Sequence, residues 1–270
     1  MSIKLIAIDI DGTLLNSNHQ LTDEVKLALK QAEEKGVKIV LTTGRPLTGV
    51  QDLIAELELY SENDYVITYN GALIQKTKSK EIVTQTGLTF DDYIAIDALA
   101  RKLNVHLHTE TETTMYTSNR DISPYTVLEA HLVNMPLKFR TPEEMTPELN
   151  ILKMMMIDDP AVLDAAITNI PKEFYDKYTI VKSTPYFLEF LNKEVDKGAA
   201  VKQLAEALGF ESREVMALGD NENDLPMIEY AGLGIAMGNA TENIKNAASF
   251  ITASNDAHGV AVAIEKFVLN

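Results

Sequence analysis

Leu5-Ile6-Ala7-Ile8-Asp9-Ile10-Asp11-Gly12-Thr13 is an apolar run that breaks off in two carboxylates one residue apart, followed at once by glycine. The residues from Ile3 onward read as a strand buried on both faces, which puts Asp9 and Asp11 where that strand runs out. Period-two alternation turns both carboxylates to one side of an extended backbone. Such a pair repels itself unless a cation binds or the two share a proton. Gly12 lets the chain turn sharply, and Thr13 can hydrogen-bond that turn. Taken alone, Asp-X-Asp-Gly is equally well explained as an ordinary turn after a strand.

Working outward, Thr22 is expected to cap a helix with its apolar stripe at Val25, Leu27, Ala28, Leu29 and Ala32, ending at Gly36. Val37 to Leu41 reads as a second buried strand running into Thr42-Thr43-Gly44-Arg45-Pro46, with Pro46 opening a helix through Leu57. Tyr65 to Tyr69 is a third strand, closed by Asn70-Gly71. Strand, helix, strand, helix, strand predicts a parallel sheet with right-handed crossovers. From Ala72 the pattern changes. A hairpin over 72–84 leads to a helix capped by Asp91 or Asp92, strands at 105–108, 114–117, 151–157, 178–182 and 187–191, helices at 124–133 and 160–170, and a proline-punctuated linker through Pro136, Pro142 and Pro147. Beyond Asn192 the first pattern returns. The expected architecture is a doubly wound parallel α/β sheet built from 1–83 and 192–270, interrupted by an α+β domain over 84–191.

Composition narrows the function. Forty acidic residues against 24 basic ones give a formal charge of −16 over 270 residues, a field that repels nucleic acid and anionic membrane surfaces. No cysteine is present, so there is no thiolate nucleophile and no Cys-based metal site, which suits a reducing cytoplasm. No apolar run reaches 18 residues and the N-terminus lacks a signal-peptide pattern. A soluble cytoplasmic protein is expected, with no nucleic-acid or membrane partner and with homo-oligomerisation left open. An anionic substrate would need local positive charge or a cation to overcome the overall field.

Four polar clusters fall at the ends of core strands or beside helix starts, where ligands bind in open α/β sheets. These are Asp9/Asp11, Thr42/Thr43/Gly44/Arg45, Lys197 and Asp220/Asn223/Asp224. Each alone is more simply a turn, a cap or a solvated charge; together at one edge of a sheet they point to phosphoryl transfer through an aspartyl intermediate. A carboxylate attacks phosphorus effectively once the surrounding negative charge is neutralised. Magnesium favours a few hard oxygens, which Asp9, Asp220 and the carbonyl or carboxylate near Asp11 would supply. Lys197 offers fixed positive charge, the Thr43 hydroxyl and the Gly44 amide at a helix start would bind phosphate oxygens, and Asp11 would move the proton.

In that order, Asp9-Ile10-Asp11-Gly12-Thr13, Thr43, Lys197 and Gly219-Asp220-Asn221-Glu222-Asn223-Asp224 resemble the four motifs of the haloacid dehalogenase superfamily. Thr42-Thr43-Gly44-Arg45, Tyr69-Asn70-Gly71-Ala72 and the long insert resemble its Cof-type sugar phosphatases. The resemblance runs the length of the chain. It implies a Rossmann-like core with a type C2B cap, and magnesium-dependent hydrolysis of small sugar phosphates. It also implies Asp9 as nucleophile and metal ligand, Asp11 as general acid/base and metal ligand, and Asp220 as the third ligand from protein. The Ile10 backbone, Thr43, Gly44, Lys197 and Asn223 would contact phosphate, while Asp224 would orient Lys197 or a metal-bound water. Arg45, His108, Asn119, Arg120, Tyr186 and Glu189 are the candidates for contacting the sugar, and Met154 to Met156 is expected to be core. The alternatives are a phosphomutase on the same scaffold, a receiver-like phosphoacceptor and a non-catalytic sugar-phosphate binder.

Overall fold

The computed structural model describes residues 2–270; Met1, the first residue of the expected 1–83 segment, lies outside the described residues. The opening block forms β1 (Leu5–Ile8), α1 (Asp23–Glu34), β2 (Lys38–Thr42), α2 (Gln51–Glu56), β3 (Tyr65–Thr68), β4 (Leu73–Lys76) and β5 (Ile82–Gln85). The middle block runs α3 (Phe90–Leu103), β6 (His106–Glu110), β7 (Met115–Thr117), α4 (Pro124–Leu132), β8 (Leu137–Phe139), β9 (Lys153–Ile157), α5 (Pro160–Ile167), α6 (Lys172–Lys177), β10 (Tyr178–Thr184) and β11 (Phe187–Asn192). The closing block is α7 (Lys197–Ala207), β12 (Val215–Gly219), α8 (Leu225–Tyr230), β13 (Leu233–Ala236), α9 (Glu242–Ala247), β14 (Phe250–Ile251) and α10 (Gly259–Ile264). Among the described residues, no helix is long and apolar enough to cross a membrane.

The chain divides into two compact units. The first comprises the chain up to Gly44, Gln51–Gln85 and Asp196–Asn270; the second comprises Arg45–Val50 and Thr86–Val195. Within the second unit the Thr48 hydroxyl donates to the Val133 carbonyl at 2.6 Å.

In the first unit eight strands lie in the order β14-β13-β12-β1-β2-β3-β4-β5. From β14 to β3 every pairing is parallel, but β3/β4 and β4/β5 are antiparallel. The sheet is therefore mixed, which corrects the expected all-parallel arrangement. Only a one-turn 3₁₀ segment, Tyr69–Gly71, joins β3 to β4, far too short for a crossover helix. Leu5, Ile6 and Ile8 of β1 are fully buried, as a central strand covered on both faces requires. Ile8 pairs with Leu218 on one side and Leu41 on the other, so Asp9, Gly219-Asp220 and Thr42-Thr43 stand at one level, at the carboxyl ends of three neighbouring strands. Strand order reverses there, β1 lying between β2 and β12, and such a switch point opens a crevice at the carboxyl ends.

In the second unit six strands take the order β10-β11-β9-β6-β7-β8, antiparallel except for β7/β8. Its two faces differ. Met154, Met156, Leu107, Leu188 and Phe190 pack with Tyr93, Ile96 and Leu99 of α3 and Leu163 of α5. The alternate residues of the same strands form a smaller patch of Met155, Ile157 and Phe187 with Tyr125 and Tyr186. The methionine run is core, as the sequence suggests, with Met154, Met155 and Met156 all fully buried.

Local expectations fail where a neighbour changes the outcome. Leu27 is 58% exposed and drops out of the α1 stripe, while Val25, Ala28, Leu29 and Ala32 stay buried. The Thr22 hydroxyl pairs with His258 Nδ1 at 3.0 Å and makes no cap bond. Thr89, and neither Asp91 nor Asp92, caps α3, in a reciprocal box in which Asp92 Oδ2 accepts from the Thr89 backbone amide at 2.8 Å. The proline-rich linker contains β8, and the helix expected over 160–170 stops at Ile167, with α6 starting after Pro171.

Candidate active site

Asp9 sits one residue beyond β1, where its backbone amide donates to the Leu218 carbonyl at 3.1 Å and its carbonyl accepts from the Leu14 amide at 3.1 Å. That leaves Asp9 buried, with the residue 7% exposed. Lys197 is the first residue of α7 and is fully buried. A cation in the first turn of a helix opposes the helix dipole, and desolvating an ammonium costs several kcal/mol. Two contacts hold it there: its Nζ donates to Asp9 Oδ1 and, at 2.6 Å, to Asp224 Oδ1. Asp196 caps the helix, its Oδ1 accepting from the Ala199 amide at 2.7 Å.

Asp224 ends a 3₁₀ turn after β12 and folds its carboxylate back toward the strand. Its Oδ2 accepts the backbone amides of Asp220 at 2.9 Å and Asn221 at 3.0 Å, while Oδ1 takes the Lys197 ammonium. Gly219 makes this possible, because a Cβ there would stand 2.5 Å from the Asp224 Cβ. Asp220 receives the Thr13 hydroxyl on Oδ1 at 2.9 Å. Gly12 turns the chain with φ +83°, and a Cβ on it would come within 2.5 Å of Asp220 Oδ2. The sequence reading missed Thr13 as a partner of Asp220, because the two lie 207 positions apart.

Asp9, Asp220 and Asp224 place carboxylate oxygens within 4.8 Å of one another. Three carboxylates against one buried ammonium leave surplus negative charge. Burial first, and then the Asp224 and Asp220 charges, push the Asp9 carboxyl well above its usual range despite Lys197. Burial likewise raises Asp220 to about 6 against the pull of Thr13. Burial alone would lower Lys197, but the Asp9 and Asp224 charges outweigh it and hold the proton on. A raised proton affinity on clustered carboxylates marks a site that a divalent cation fits, because the cation supplies the charge that protons otherwise would. Both Asp224 oxygens already accept N–H donors, so Asp9 and Asp220 are the carboxylates with oxygen to spare.

Asp11, expected to ligate the metal through its carbonyl or its carboxylate, is not among the carboxylates of this cluster. Its side chain is 46% exposed, 3.8 Å from His19 Nδ1. Ile10 is buried, its carbonyl accepting from the Leu15 amide at 3.0 Å. Thr43 is buried, its amide donating to Ile67 O and its carbonyl accepting from Asn70 N, both at 2.9 Å. Gly44 does not open a helix: 3₁₀ Leu47–Gly49 follows and α2 starts only at Gln51, so the expected helix-terminal amide at Gly44 is not formed. The Asn223 Nδ2 donates to Asn70 Oδ1 at 3.0 Å.

The sugar-contact candidates separate in the second unit. His108 is buried with Nε2 3.2 Å from Glu110 Oε1, and Glu189 is buried 3.6 Å from Lys153, which is also 3.6 Å from Glu110. Asn119 Oδ1 is occupied by the Leu107 amide at 2.9 Å and by the Thr117 hydroxyl at 3.3 Å. Tyr186 stacks on Tyr125 with centroids 4.8 Å apart. Arg120 is exposed, and Arg45 reaches the Gly49 carbonyl at 3.5 Å. The structure thus joins His108 and Glu189 in one buried charged cluster with Lys153 and Glu110, and the Arg45 charge acts on Glu129, which the same charges face. Lys153 was the missed signal there, a lysine heading an otherwise apolar strand.

This fold, an α/β sheet with a carboxylate–lysine cluster at the carboxyl ends of its strands, is that of an enzyme class suited to phosphoryl chemistry. Residues 6–264 match the family of haloacid dehalogenase-like hydrolases. The chain belongs to that family and is a hydrolase of its phosphatase type, with the aspartate cluster that aspartyl-phosphate chemistry uses. It is 51% identical over 266 residues to YxeH of Bacillus subtilis, covering 98% of each chain. It is 35% identical over 269 residues to the 5-amino-6-(5-phospho-D-ribitylamino)uracil phosphatase YcsE of the same organism, covering 100% of this chain and 97% of YcsE. A haloacid dehalogenase-like hydrolase from Bacteroides thetaiotaomicron superposes with a TM-score of 0.87 at 33% identity, covering 98% of this chain and 99% of its own.

Proposed function

We propose that the protein is a magnesium-dependent phosphatase of small phosphorylated sugars and polyols that works through an aspartyl-phosphate intermediate. The observation that carries this reading is the buried Lys197 shared by Asp9 and Asp224 beside Asp220, with Asp11 left half-exposed. A buried carboxylate held by a lysine suits attack on phosphorus; an exposed one suits proton exchange with a group arriving from solvent. Asp9 Oδ attacks phosphorus as the ester P–O bond breaks, and Asp11 gives its proton to the departing alkoxide. Asp11 then takes a proton from water, whose oxygen attacks the same phosphorus, breaking the bond to Asp9 and releasing inorganic phosphate. Asp9 and Asp220, with the backbone near Asp11, would hold the magnesium ion, which when bound neutralises charge on the phosphoryl oxygens. Lys197, Thr43, Gly44, Asn223 and the Ile10 backbone bind the phosphate, and Asp224 fixes Lys197.

The second unit serves in this reading as a type C2B cap, and its residues select the alcohol. The likeness to YcsE, named for a phosphate carried on a ribityl chain, supports a linear polyol phosphate as the first substrate to try beside cyclic sugar phosphates. The test is release of inorganic phosphate from a panel of hexose, pentose and polyol phosphates with and without magnesium. Activity should require the ion and disappear in Asp9→Asn, with phosphate binding retained. Wild-type turnover in Asp9→Asn would remove the nucleophile, and isomerised ester with little free phosphate would make the protein a mutase.

A further inference from the structure

Of the four residues joining β3 to β4, three in a row, Tyr69, Asn70 and Gly71, have left-handed backbones, with φ of +53°, +56° and +106°. Glycine adopts this conformation freely and asparagine tolerates it, but a buried tyrosine does so at a cost. Consecutive outliers persist only where the surroundings over-determine them. Around this turn the surroundings are three of the loops assigned above to phosphate binding. The Asn70 amide donates to the Thr43 carbonyl at 2.9 Å. Its side chain lies against Gly44, where an added Cβ would meet the Asn70 amide group at 3.1 Å. Its Oδ1 accepts from Asn223 Nδ2 at 3.0 Å. Next to it, Gly71 packs directly on the carbonyl of Asp196, the residue before Lys197.

We infer that Asn70 is a positioning residue for the phosphate group, a clamp that sets Asn223 against the Thr43–Gly44 loop. The inference rests on the phosphatase reading and adds to it a residue that need not touch substrate. The Asn70–Asn223 bond is solvent-facing, and exposed side-chain hydrogen bonds contribute little to stability. Its effect is therefore on geometry. With Asn70 Oδ1 occupied by one amide proton of Asn223, the second points along a fixed direction instead of rotating in water. The left-handed turn fixes where Oδ1 stands, so both anchors of the clamp are set by backbone.

Asn70→Gly keeps the left-handed backbone without strain and deletes only the amide. Inorganic phosphate is titrated calorimetrically, with magnesium present, into wild type, Asn70→Gly, Asn223→Ala and the double variant. Steady-state kinetics run beside it on whichever ester the wild type hydrolyses. Asn70→Gly is expected to weaken phosphate binding and raise KM by about tenfold, with kcat within about twofold, since a clamp lost from both ground and transition states shows in KM. The double variant should bind as Asn223→Ala does, because each change removes the same coupling. Equal phosphate affinity in Asn70→Gly and wild type, or strictly additive losses, would overturn the clamp and leave the phosphatase reading standing. A wild-type protein that neither binds phosphate nor hydrolyses its esters would overturn both.

Discussion

The Nζ of Lys197 stands 2.6 Å from Asp224 Oδ1, and both side chains are fully buried. Through that ammonium the carboxylate that ends the β12 turn is tied to the one that ends β1, since Lys197 also donates to Asp9. Removing the ammonium strands buried like charges. Lys197→Met should therefore lower unfolding free energy by about 3 kcal/mol, the usual cost of breaking one side of a buried pair, as well as abolish turnover. Urea denaturation at neutral pH measures the first, and an undiminished midpoint would show that Asp9 and Asp224 do not both carry charge beside it.

Magnesium should stabilise the folded protein, because the carboxylate cluster forms only when the chain is folded. At a hundredfold excess over its dissociation constant the gain is about 2.7 kcal/mol, visible as a rise in Tm on adding the ion to chelator-treated protein. Asp220→Asn should show little or none of that rise. An identical rise in that variant would place the ion elsewhere.

Gly12 has φ +83°, and the Asp220 carboxylate stands where a side chain would go. Gly12→Ala combines an unfavourable backbone with a displaced ligand. The expected cost is about 1–3 kcal/mol of stability together with loss of the magnesium-induced rise in Tm. Retention of the full rise would mean that Asp220 does not ligate.

A pH effect is expected from the second unit. Burial, opposed by Lys153 and reinforced by Glu110 and Glu189, raises Glu129 from 4.5 to about 7. The folded chain then binds this proton more tightly than the unfolded chain, so Glu129 lowers stability progressively as pH rises from about 4.5 to about 7, and its cost levels off above that. Glu129→Gln should erase the dependence. Its unfolding free energy relative to wild type should grow by about 2 kcal/mol between pH 5 and pH 8, measured by urea titration at both. A difference that stays flat would show Glu129 ionised throughout.

Much of the site was legible before folding, because its groups sit where apolar runs end. The end of a buried strand is visible as a change from aliphatic to polar residues, and Asp9, Thr43 and Asp220 all stand at such a change. Lys197 was readable as a lysine just before the helix that follows the return to the first pattern, whereas the Asp196 cap on that helix emerged only in the structure. What was not legible depended on neighbours distant in sequence. Pairing with His258 diverted Thr22 from its cap, and Thr89 took the capping role at α3 expected of Asp91 or Asp92. The antiparallel β4 and β5 followed from a turn too short for a crossover, although the hairpin between them could be read.

By itself the sequence determined the alternation of buried strands and amphipathic helices, the interruption by a second α+β block, and the residues able to do phosphoryl chemistry. It could do so because hydrophobic periodicity and turn residues are local properties of the chain. The tertiary structure decided where those residues stand and what each one touches. It buried Asp9 against Lys197 and left Asp11 at the surface, and it used both oxygens of Asp224 on N–H donors. It also brought Thr13 to Asp220 and Asn70 to Asn223. Burial and hydrogen-bond partners set the charge and direction of a carboxylate, and both arise only when segments as far apart as 207 positions are packed together.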